Sequence, residues 1–137
     1  MKKWRFILII GVLLLPIIIY ALKEYNRKNP DTSSLKALVD IDAVSLVKEF
    51  EQDEAKAYKQ FNGKVLSVKG HIIRIEKSGD TQKLTLGTND SMSGVICEFQ
   101  ISELPKLKEL VTTQEVRIKG ICTGMLLDVI LVRCVLE

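Results

Sequence analysis

Cys97, Cys122, Cys134 and the single histidine, His71, are the side chains of this 137-residue chain best suited to bind a metal, cross-link or catalyse. Together they would supply four zinc ligands. The three cysteines contain no C-x-x-C pair to place two thiolates on one turn, however, so no metal site is expected. His71 stands in "VKGHIIRI" on the polar side of a period-two alternation, and it reads as a solvent-facing strand residue rather than a general base. The chain has no G-x-S-x-G elbow, phosphate-cradling glycine loop or H-E-x-x-H. Asp80, Asp90 and Asp128 fall at or near turns, where a carboxylate serves the local backbone. The expectation is a protein that is not an enzyme and needs no cofactor.

The elements that position these residues follow from the apolar spacing. In "DIDAVSLVKEFEQDEAKAYKQF", Val44, Leu46, Val47, Phe50, Ala57, Tyr58 and Phe61 recur at near-helical intervals after Asp40 or Asp42 as N-cap. This predicts one amphipathic helix over 42–60, with Glu49, Glu51, Asp53 and Glu54 as a solvated face. From Gly63 the period becomes two. Leu66, Val68, Gly70 and Ile72 share one face, and the phase slips near Ile73, which predicts a bulge or sharp bend in a long first strand. "KSGD" is a turn, and "TQKLTLG" and "VICEF" are the next strands, the latter with Val95, Cys97 and Phe99 on one face. "ISELPKLKELVTT" spaces Leu104, Leu107, Leu110 and Val111 as a short helix with Pro105 in its first turn. "EVRIKGICTG" sets Val116, Ile118, Gly120 and Cys122 against Glu115, Arg117 and Lys119, and "LLDVILVRCVL" closes the chain.

Helix, three strands, short helix and two strands is the order of a five-stranded OB-fold barrel, mainly β, here with an amphipathic helix in front of it. In that arrangement the third strand lies beside the fifth. Cys97 and Cys134 then become the reachable pair for a disulfide, worth roughly 3–4 kcal/mol if formed, with Cys122 left free. The alternative is three buried free thiols, and both readings remain open from the sequence.

The N-terminus carries an address. Phe6–Leu22 is an uncharged run of 17 residues, about 25 Å of helix. Trp4 and Tyr20 stand near its ends as membrane-interface side chains. The apolar run is longer than a usual signal-peptide core and no A-x-A-like cleavage site follows it, so an uncleaved single-pass anchor is expected. The chain thus divides into a basic N-terminus (1–5), a transmembrane helix (6–22), a tether (23–40) and a domain (41–137). Lys2, Lys3 and Arg5 favour a cytoplasmic N-terminus, which places the domain in a periplasm-like or extracellular space at the cell membrane.

Net charge divides the same way. Residues 1–30 hold six basic residues against Glu24, whereas residues 31–137 hold 14 basic and 16 acidic residues. The domain therefore has no field to draw in a polyanion. Its aromatics are Phe50, Tyr58, Phe61 and Phe99, three of them on or beside the leading helix, so no stacking platform is visible. Lys64, Lys69, Arg74, Lys77 and Lys83 are the best support for a nucleic-acid reading, and they equally suit the decoration of exposed strands.

"DAVSLVKEFEQDEAKA", "GKVLSVKG", "SMSGVICEF" and "VRIKGICTGMLLDVILVRCVL" together resemble the tRNA_anti-like family of small bacterial OB-fold domains, often found behind a membrane anchor or signal. The resemblance covers about residues 41–137. It implies the OB-fold but no established ligand or binding residue, so no functional role is carried over.

The sequence thus supports a non-catalytic, membrane-anchored binding or interaction module whose partner is a protein or a small ligand. A nucleic-acid-binding OB-fold protein, for single strands or tRNA-like ligands, is the alternative. The candidate binding loops are Thr88, Asn89, Asp90, Ser91, Met92, Ser93 and Gly94, and Thr123, Gly124 and Met125. Met92 and Met125 in these connections are either exposed contacts or plugs folded back into the barrel.

Overall fold

The computed structural model describes residues 2–25 and 31–137, with the side chains of residues 2–10, 12 and 25 outside the description. It forms two units, Met1–Pro30 and Asp31–Glu137. In the first, helix α1 (Lys2–Tyr25) contains Pro16 and exposes Tyr20. Met1 of the basic N-terminus, residues 26–30 of the tether and the side chain of Trp4 lie outside the described residues. Among the described residues no helix is long and apolar enough to cross a membrane.

The second unit is a closed five-stranded barrel with one extra strand. Strands β1 (Val39–Asp42), β2 (Val65–Ser78), β3 (Thr81–Gly87), β4 (Val95–Phe99), β5 (Glu115–Met125) and β6 (Val129–Leu136) lie in the order β1-β2-β3-β4-β6-β5, and β5 returns to β2. This is the OB-fold connectivity expected for β2 to β6. Strand β1 was not expected: it straddles the boundary between the predicted tether (23–40) and the predicted domain (41–137). Val39 and Ile41 pack against the core while Asp40 and Asp42 face out, too short an alternation to register as a strand before its partner is known. It runs parallel to β2, with Val39 opposite Leu66. The folded unit therefore starts at Asp31 rather than near residue 41. Its first turn, Thr32–Ser34, is held by Asp31, whose carboxylate accepts the Ser33 N–H at 3.1 Å.

Where one helix is predicted over 42–60, the structure has two, α2 (Ala43–Gln52) and α3 (Glu54–Phe61). Asp53 leaves helical geometry, and its carboxylate accepts the Lys56 N–H at 3.0 Å. A short carboxylate that can cap a new helix competes with continuing the old one. Asp42 caps α2 in the same way through the Ser45 N–H. Together the helices bury Ala43, Leu46, Val47, Phe50, Ala57 and Phe61, and the Phe50 and Phe61 rings lie 5.9 Å apart. α2 touches β1, β2, β3, β4 and β6, so it stoppers one end of the barrel.

The predicted helix after β4 is instead a seven-residue 3-10 segment, Ile101–Leu107. Leu107 is buried and Leu104 and Leu110 pack against the core, but Val111 is exposed because the segment ends four residues before it. The buried carboxylate of Glu103 fixes the segment, accepting the Leu136 N–H at 3.2 Å and pairing with Lys106.

The bend of β2 lies where the sequence placed it. β2 pairs with β5 from Val65 to His71 and with β3 from His71 to Ser78, and the register shifts between Ile72 and Arg74. At Gly70 an added Cβ would stand 2.9 Å from the Ala43 Cβ. At Gly120 it would stand 2.6 Å from the Cys134 sulfur and 3.2 Å from the Leu131 Cβ. Strand β6 makes room for that sulfur with a bulge. Arg133 adopts a left-handed φ of 53°, and both Leu131 and Cys134 turn inward.

Two outcomes follow from this packing. Gly120→Val should lower stability by about 3 kcal/mol, because the added branches displace Cys134 and Leu131 from a filled core. Thermal unfolding by circular dichroism measures it, and an unchanged midpoint would show the contact to be slack. Asp42→Ala should cost about 1 kcal/mol at neutral pH. Hydrogen bonds from Ser45 lower the folded pKa of Asp42 from its ordinary value. Its contribution is therefore present above about pH 4 and lost as pH falls through the folded value. The gap between Ala variant and parent should accordingly close on acidification.

Candidate binding face

The outer surface of β4 and β6 is built by alternation. Val95, Cys97 and Phe99 point into the barrel, which turns Ile96 and Glu98 outward. Parallel pairing then sets Ile96 directly opposite Ile130 of β6, and Thr85 of β3 lies on the other side of Ile96. One rung further on, Lys83 faces Glu98 and pairs with it at 3.5 Å.

The turn between β5 and β6 overhangs this strip. Leu126 and Leu127 are 85% and 84% exposed, and together with Ile96, Asp128 and Ile130 they line an open groove of about 200 Å³. Sequence reasoning reached Leu126, the last residue of the candidate turn Cys122–Leu126, and missed Ile96, Leu127 and Ile130. "TGMLLD" reads as the connection between the last two strands, and the structure shows that both of its leucines face solvent. Asp128 draws the two predicted loops together, since its Oδ1 accepts the Gly94 N–H at 2.7 Å and the Val129 N–H donates to the Gly94 carbonyl at 3.0 Å.

The individual loop residues divide. Thr88, Asn89, Asp90, Ser91 and Met92 are exposed, Met92 fully, whereas Ser93 is half-buried and Gly94 buried. Thr123 is exposed, with its hydroxyl donating to the Ile130 carbonyl. Gly124 is buried with φ +109, and an added Cβ would meet the Tyr58 ring at 3.1 Å, so its role is packing. Met125 packs against the core. Of the two methionines weighed as contacts or plugs, Met92 is the exposed one and Met125 the plug.

The remaining candidates lie elsewhere. His71 is exposed and sits between two open depressions of about 230 and 190 Å³, near Thr88 and Gly87. Its neighbours Lys69 and Glu115 are spent on each other in an ion pair. Among the described residues no cluster of His, Cys, Asp and Glu could hold a metal ion. Of Lys64, Lys69, Arg74, Lys77 and Lys83, three, Lys69, Arg74 and Lys83, each pair with a glutamate. Phe50, Phe61 and Phe99 are buried, which leaves Tyr58 as the one exposed Phe or Tyr ring in residues 31–137. A second polar network covers β1, β2 and β5, where Arg117 Nη1 donates to both oxygens of Asp40 at 2.6 Å and Ser67 donates to Glu137.

All three cysteines are free and buried. The bridge considered between Cys97 and Cys134 is not formed. Phe99, not Cys97, stands opposite Cys134 in the register, and the Cys97 thiol is the close neighbour of the Cys134 thiol across it. Burial pushes the Cys134 thiol well above its ordinary pKa, and the neighbouring Cys97 adds to the shift. Burial raises Cys122 as well.

The tRNA_anti-like family model matches residues 1–136 of the chain. The chain belongs to that family. Among solved structures it is similar to a Klebsiella pneumoniae lipoprotein provisionally described as nucleic acid-binding. The identity is 19% and the TM-score 0.61, over 81% of this chain and 99% of that one. It is also similar to a Leishmania major protein provisionally described as an aspartyl-tRNA synthetase, at 12% identity and a TM-score of 0.51, over 75% of this chain and 21% of that one. At these identities the likeness concerns the fold. No curated protein matches the sequence.

The thiol geometry has a direct readout. The native chain should react negligibly with a thiol reagent, because its thiols are buried and held protonated. Denaturation without reductant should release three reactive thiols. A count of one would mean that a bridge forms after all.

Proposed function

We propose that this tRNA_anti-like protein is a non-catalytic binding module held at the cell membrane by residues 6–22, with its OB-fold domain outside the cytoplasm and a protein or small ligand as partner. The observation that carries this reading is the character of the face over β4 and β6. OB-folds that hold single strands combine a basic groove with rings on which bases stack. Here the groove over β4 and β6, beneath the turn that joins β5 to β6, is lined by Ile96, Ile130, Leu126 and Leu127, with Asp128 as its charged group. The acidic balance of residues 31–137 points the same way. The nucleic-acid description of the Klebsiella neighbour makes the opposite outcome the one to test.

The anchor rests on the uncharged Phe6–Leu22 run, and the orientation on the basic residues before it. Labelled single-stranded RNA and DNA should bind the full chain no tighter than about 10 µM at physiological salt, within the range of non-specific contacts. Sub-micromolar, steeply salt-dependent binding would replace this reading with the nucleic-acid one. Carbonate should leave the protein in the membrane fraction, and protease added to spheroplasts should digest residues 31–137. Release by carbonate would remove the anchor, and protection from protease would put the domain in the cytoplasm.

A further inference from the structure

The groove over β4 and β6 has a size, a charge and a position in the fold, and together these narrow what can occupy it. The inference rests on the binding-module reading above and names the partner of that same site. With a volume of about 200 Å³, the groove accommodates one or two aliphatic side chains rather than a helix face. Of its four apolar lining residues only Leu126 and Leu127 are exposed and the two isoleucines are half-buried, a small apolar area beside the ~1,000 Å² that a lasting interface between two copies buries. Strands β4 and β6 are each paired on both sides, so an occupant gains no main-chain hydrogen bonds and is held by side chains alone.

Charge adds the second constraint. Asp128 is the one charged residue of the lining, and its Oδ1 is committed to the Gly94 N–H. Lys83, a cation on the β3 side of the strip, is paired with Glu98. The rim therefore offers an uncompensated carboxylate and favours a cation next to the aliphatic group.

The same carboxylate sets an anionic membrane surface apart from the occupant the groove favours, since a leaflet of that charge would be repelled by Asp128.

We infer that the groove formed by Ile96, Ile130, Leu126 and Leu127, with Asp128 at its rim, docks an extended segment of a partner protein that presents aliphatic side chains beside a lysine or arginine.

The test uses the full chain in phosphatidylcholine nanodiscs, or in buffer if it does not partition into them, with empty nanodiscs as blank. Fluorescence anisotropy is read for three labelled hexapeptides: leucine alternating with lysine, leucine alternating with glutamate, and serine alternating with lysine. The first should bind about tenfold more tightly than either of the others. Leu127→Ser changes a solvent-facing side chain, so the fold should persist by circular dichroism while the tenfold preference is lost. Asp128→Asn keeps an oxygen for the Gly94 N–H and should reduce the lysine-over-glutamate preference about threefold. Equal binding of all three peptides, or a preference that survives Leu127→Ser, would overturn the inference. So would a dimer that Leu127→Ser dissociates, or lipid binding that the same variant abolishes. Failure with peptides while nucleic acid also fails to bind leaves the module reading standing, whereas tight nucleic-acid binding removes that reading itself.

Discussion

Strand β2 has to serve two partners, and the barrel depends on how it does so. Its first half pairs with β5 and its second with β3, so the chain must turn a corner within one strand without losing its ladder. The register shift after Ile72 makes the turn, and Gly70 lets α2 and β3 close over it. A side chain at Gly70 would collide with Ala43, so the corner and the stopper helix form as one packing problem. Once the corner is set, the inward faces of β2, β3 and β4 converge on Leu66, Val68, Ile72, Leu84, Leu86 and Cys97, all fully buried.

Closure on the far side uses a different device. β6 must sit between β4, to which it is parallel, and β5, to which it is antiparallel. A left-handed Arg133 shifts its phase, and Cys134 turns in over Gly120. The cysteines are consequently small apolar core residues whose sulfurs fill space that a larger side chain could not share. The same shift puts Cys134 opposite Phe99, with the Cys97 thiol as its neighbour. Closure also decides the outer face, because the phase that buries Val129 and Leu131 turns Ile130 out beside Ile96. The groove is thus a by-product of core packing on one side and of turn placement on the other.

Alternation and helical spacing were sufficient for the five barrel strands, the corner in β2 and the inward faces of β2, β4 and β5. Those features depend on residues close in sequence, and the family resemblance rested on the same stretches. The loops Thr88–Gly94 and Thr123–Met125 were legible as connections, but their residues divide by function for reasons that lie elsewhere in the chain. Gly124 is covered by Tyr58, and Gly94 is pinned by Asp128. Neither partner is near in sequence.

By itself the sequence determined the apolar N-terminal run, the acidic balance of residues 31–137, the strand order and the lack of catalytic or metal-binding motifs. These are properties of composition and local period, which survive whatever the chain packs against. Only the tertiary structure decided that Val39–Asp42 is a strand, that Asp53 splits the leading helix, and that Phe99 rather than Cys97 stands opposite Cys134. It alone put Leu126 and Leu127 in solvent above Ile96 and Ile130. Each of these depends on a register or a partner supplied from a distant part of the chain, and an apolar run such as "MLLDVILV" has the same period whether its first leucines enter the core or leave it.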